Sequence, residues 1–252
     1  MQNHPTRSGP ALPDQRSAGA LMLVAAIASI VFVAIDPVAG GDDARAILQS
    51  MTANAPMHRI VHAVEMACLF GLAFGMASLA ARLGAQRPVV RAGAMAYLAG
   101  SLAMLGAAVV DGFVTVDAAS YFLRDGHSVE TGREVVHMCY AVIQDLAMVS
   151  WFLQSIGVLA LASALVRERG ARRVGGVVGL VTGALPPIAI LASYPRMDTA
   201  VVVGILLVQL AWNLVVAGLL LRRDDGAAAS ADGRARMPVP AGAVGSGPQA
   251  AL

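Results

Sequence analysis

Lysine is missing altogether: all 18 basic residues of the 252-residue chain are arginine, which reads as a GC-rich coding bias and not as function. Charge of either sign is scarce, at 13% of residues, and aromatics make up only 5%. A soluble domain of this length needs far more charged surface, so a soluble globular class is excluded. The formal net charge is only +2. No basic run is interleaved with aromatics, so no nucleic-acid partner is expected. Cysteine occurs twice, as Cys68 and Cys139, without CxxC or zinc-finger spacing. That excludes a disulfide framework and a cysteine-rich zinc site, and leaves two small hydrophobes for packing.

What the chain has instead is apolar sequence, 57% of its residues. Apolar runs recur at about 17–39, 58–82, 91–113, 135–165, 174–194 and 199–221. Each is long enough for a helix rising ~1.5 Å per residue to cross a hydrocarbon core of roughly 30 Å. The expected fold is therefore all-α, a polytopic bundle of six transmembrane helices over 17–223. Arg7 and Arg16 precede the first run as they would in a signal peptide, but Asp36-Pro37 closes it, and it is read as a retained span. Residues 1–16 and 224–252, rich in Pro, Ser, Ala and Gly, read as disordered tails.

Arginine placement orients the bundle. With the N-terminus inside, thirteen arginines fall in cytoplasmic segments and five outside, the bias lying in the short loops 83–90 and 167–173. The positive-inside rule then gives both termini in the cytoplasm and a bacterial inner-membrane location. On the opposite side, Asp42 is expected to N-cap a short helix over 43–52 lying on the membrane surface through Ile47, Leu48 and Met51. The segment 114–132 reads as the longest exterior loop. Gly71-x3-Gly75 and Gly175-x3-Gly179-x3-Gly183 let backbones approach closely, either within one subunit or between copies in a homo-oligomer. Pro186-Pro187 is expected to kink the fifth span.

Ionisable groups inside apolar spans are costly and point to function. On the second span His58, His62 and Glu65 are spaced i, i+4 and i+7, so they share one face within about 40°. On the fourth, His137, Gln144, Trp151 and Ser155 form a stripe with Glu134 and Asp145 beside it. Asp36 closes the first helix and Asp111 the third. All of these ends meet the same face of the membrane.

Four readings fit this pattern. His62, Glu65, Asp111, His137 and Asp145 can line a pocket that binds a small ligand or passes protons, since buried carboxylates and imidazoles titrate near neutrality. His58, His62 and His137 can hold a divalent metal with Glu65, Asp111 or Asp145, although HExxH is absent. His62 and His137 can be axial ligands of a haem b. Or the polar groups simply bond one another and fix helix register. Gln209 and Asn213, one turn apart on the sixth span, suit interhelical hydrogen bonds.

In Ala34-Ile35-Asp36-Pro37, Gly41-Asp42-Asp43-Ala44 and the His58/His62 opening of the second span, the chain resembles a group of bacterial six-helix membrane proteins. The likeness runs over roughly 17–165, and the group has His-Pro where this chain has Asp36-Pro37. The resemblance implies architecture and no particular activity. Ceramidase-like intramembrane hydrolases carry His-x3-His in their final helix, whereas the final span here, 199–221, contains no histidine.

Overall fold

The structure, a computed structural model, describes residues 15–193 and 199–222. Six of its helices are long and apolar enough to cross a membrane, and the described residues contain no strand. The chain is a multi-pass α-helical membrane protein. Its elements are α1 (Gln15–Ile35), α2 (Ala44–Ala53), α3 (Ala55–Leu83), α4 (Pro88–Val109), a π-helical segment (Val110–Thr115), α5 (Val116–Phe122), α6 (Val129–Val166), α7 (Ala171–Ser193) and α8 (Thr199–Leu221). The two tails expected to be disordered lie outside the described residues, apart from Gln15 and Arg16, which open α1.

Each spanning helix packs on its neighbour in the chain, and α8 closes back on α1, so α1, α3, α4, α6, α7 and α8 form a ring. One end of the ring carries Arg82, Arg87, Arg167 and Arg172; the other carries α2, the π segment and α5. The Arg-rich half is filled by a continuous core that includes Met22, Met76, Leu79, Leu161, Leu165, Trp212 and Leu220. Arg82 Nη1 donates to the Leu219 carbonyl, satisfying one of the end-of-helix acceptors of α8. Gly84 ends α3 with φ +91°, a left-handed conformation that glycine adopts without strain.

The glycine ridges are consumed inside the subunit. A Cβ on Gly71 or Gly75 would strike Ala25 or Met22 of α1. On Gly175, Gly179 or Gly183 it would meet Leu219 or Trp212 of α8, or Leu159 of α6. The helical path of α7 continues through Pro186 and Pro187.

Three local expectations are corrected. Asp43, not Asp42, caps α2, its Oδ1 accepting from the Ala46 N–H at 2.8 Å. The apolar face of α2 is covered by protein: Leu48 and Met51 are buried with Ala119 of α5 and Val136 of α6. Finally, most of the segment read as an exterior loop is helical, because α4 runs on through the π segment into α5 and α6 begins at Val129. Ser128 caps that earlier start, its hydroxyl accepting from the Thr131 N–H.

Candidate functional site

At the α2 end, three elements bring five ionisable residues together. Asp36 follows the last turn of α1, its N–H bonded to the Val33 carbonyl. His58, His62 and Glu65 lie on one face of α3. Asp111 comes from the π segment, where the Thr115 hydroxyl donates to the Val110 carbonyl five residues back at 2.8 Å. An extra residue in a turn re-aims the side chains around it, and such π-bulges recur at functional sites. Here the bulge presses Gly112 against the His62 ring, so tightly that a Cβ at residue 112 would collide with it.

His58 Nδ1 is 2.7 Å from Asp36 Oδ1, a hydrogen bond, and its Nε2 is 3.5 Å from Asp111 Oδ1. His62 is only 5% exposed. Its Nε2 stands 3.6 Å from both Asp36 Oδ2 and Asp111 Oδ2, and its Nδ1 is 2.9 Å from Glu65 Oε2. Nδ1 is thus paired with Glu65, whereas Nε2 makes no hydrogen bond to any protein group. Leaving buried polar atoms without partners costs about 1–3 kcal/mol each. The two rings meet edge-on, 4.5 Å between centroids.

Asp36, His58 and His62 each offer one ligand atom, and the three atoms lie within 4.8 Å of one another. Metal–ligand bonds of ~2.0–2.1 Å in a tetrahedral site set its ligand atoms roughly 3.3 Å apart. Within this set the 3.6 Å between His62 Nε2 and Asp36 Oδ2 is close to that edge, and Asp111 stands at 3.5–3.6 Å from both Nε2 atoms. Two imidazoles with carboxylates are a donor set for a borderline divalent ion such as zinc. Glu65, behind His62, stands where an outer carboxylate orients a metal-binding imidazole.

Beneath the cluster a cavity of about 270 Å³ runs toward the middle of the bundle. Asp36, His62, Glu65 and Asp111 line its α2 end; Ile30, Leu72, Met104, Trp151 and Leu206 are among the residues of its walls. Gln209 Nε2 donates to Gln154 Oε1 at 2.8 Å, tying α8 to α6 at the inner end. Trp151 Nε1 and Asn213 Oδ1, also in the lining, have no protein partner.

The structure thus brings His62, Glu65 and Asp111 together with His58, and adds Asp36, which the sequence reading leaves as a helix boundary. His137 and Asp145 stand apart: both are exposed on α6 and outside the cavity lining. The residues of α6 that face the cavity are Ile143, Ala147, Trp151 and Gln154. His137 therefore does not face His62 across a shared space, as a haem b would require. The signal that could have found Asp36 is its position just past the end of α1, on the same side of the membrane as the first turn of α3 that carries His58. Comparison of the chain with protein-family models, curated proteins and solved structures finds no match, and the site must be interpreted from its own chemistry.

Proposed function

We propose that this membrane protein binds a divalent metal ion of the zinc type through Asp36, His58 and His62, and exposes it to a ligand cavity opening from the outer face of a bacterial inner membrane. The observation that carries this reading is His62, a buried imidazole whose Nε2 faces two carboxylates at 3.6 Å and makes no hydrogen bond to the protein. A cation between Asp36, His58 and His62 would satisfy Nε2 and offset the carboxylate charge. Three protein ligands leave a further position for water or a bound molecule, as in catalytic zinc sites.

The outward orientation rests on the arginine distribution, with the Arg-rich end in the cytoplasm. Below the cavity the core containing Met76, Leu79, Leu161 and Leu220 is densely packed, which supports a blind binding pocket. Metal analysis of protein purified with zinc and then freed of excess tests the reading. The expected content is about one zinc per chain, falling to background in His62→Gln. Background zinc in the unaltered, folded protein would overturn it.

A further inference from the structure

We infer that the cavity below the cluster takes a single-chain amphiphile of neutral head, a long-chain alcohol or carbonyl compound, with its oxygen at the metal and its chain among the apolar walls. The inference rests on the metal reading for its head-group half and on the cavity itself for its chain half.

The chain half follows from dimensions. On α6 the lining runs from Ile143 to Gln154, and on α8 from Val202 to Asn213. Eleven helical steps at ~1.5 Å make the cavity roughly 16 Å deep. Its volume of about 270 Å³ falls at the small end of the roughly 300–1,000 Å³ range of ligand pockets, room for one slender molecule. Carbon–carbon bonds of ~1.5 Å advance about 1.25 Å each along an extended chain, so the depth takes about a dozen carbons. The Gln154–Gln209 hydrogen bond ties α6 to α8 near the inner end. Between the polar mouth and the polar inner end, walls of Ile30, Val33, Leu69, Leu72, Met104 and Leu206 match a methylene chain.

The head-group half follows from charge. Asp36, Glu65 and Asp111 place three carboxyl groups at the mouth, and no arginine lines the cavity. A carboxylate or phosphate head finds no cationic side chain there. An ammonium head has no lone pair to give the ion. A hydroxyl or carbonyl oxygen supplies the lone pair without the charge.

The test uses the zinc-loaded protein in phosphatidylcholine nanodiscs and the quenching of tryptophan fluorescence by ω-bromododecanol, with Trp151 in the cavity wall as the reporter. Quenching should saturate, be relieved by dodecanol, and weaken roughly tenfold or more after chelation, the discount of one lost polar contact. Dodecanoic acid should compete far less well than dodecanol. Leu206→Phe, which narrows the cavity, should abolish saturation at unchanged zinc content. Quenching that rises without saturation, at the slope given by headless bromododecane, would report partition into the bilayer and overturn the inference while leaving the metal reading untouched. Equal competition by dodecanoic acid would overturn the neutral head. Saturable quenching that chelation does not change, in protein free of zinc, would overturn the metal reading and the head-group half with it.

Discussion

The same helices build two unlike halves. Toward the Arg-rich end, α1, α3, α4, α6 and α8 meet through Ala, Gly, Met and Leu in one continuous core. Toward the α2 end they hold a cavity apart and gather two histidines and three carboxylates at its mouth. In the first half close backbone approach supplies van der Waals packing, the main means of association where lipid removes the hydrophobic drive between helices. In the second, groups that are costly within a membrane are held without full hydrogen bonding. The difference teaches that one half makes the bundle stable and the other can act, and the two should respond to different perturbations.

The sharpest way to break the comparison is to damage the packed half. Gly157 on α6 crosses α4 so closely that a Cβ would come within 2.8 Å of the Gly93 carbonyl oxygen and of Tyr97 Cβ. Gly157→Leu should destabilise the bundle by about 3 kcal/mol, seen as a lowered midpoint of thermal unfolding in detergent. Next comes zinc itself. At a hundredfold excess over its dissociation constant it should stabilise the unaltered protein by about 2.7 kcal/mol, and Asp36→Asn should lose most of that gain. Stabilisation of Asp36→Asn equal to that of the unaltered protein would put the ion elsewhere.

A smaller effect is expected one shell out. Glu65→Gln keeps the shape beside His62 but removes the carboxylate charge, so zinc affinity should fall roughly 10–100-fold while the fold without metal is kept. Isothermal titration of the purified variant measures this. Smallest of all, His137→Ala and Asp145→Asn, exposed on α6, should change stability by less than about 0.5 kcal/mol and leave zinc binding alone. A loss of zinc in either would return both residues to the site and redraw the division between the halves.

The six spans were legible because length and apolarity are enough to mark a membrane helix. The 114–132 stretch was not. Its Asp117, Asp125 and Gly126 read as loop, whereas Arg59 pairs with Asp117 and Ala119 packs on Leu48 and Val136, tertiary partners that no local pattern reveals. Within the site, α3 was readable because helical spacing puts His58, His62 and Glu65 on one face. Asp111 was found by its position at a helix end, but the π segment that turns it toward His62 was not, since it depends on Gly112 meeting the ring. His137 and Asp145 misled because an ionisable residue in an apolar stretch gives no hint whether its face meets the cavity or the exterior.

The most direct measurement of the central claim is the absorption spectrum of the cobalt-substituted protein. Cobalt(II) held by Asp36, His58 and His62 with one further oxygen predicts visible d–d bands of four-coordinate intensity, saturating at about one equivalent and lost in both His58→Gln and His62→Gln. Bands of the weak six-coordinate type, unchanged in those two variants, would contradict it.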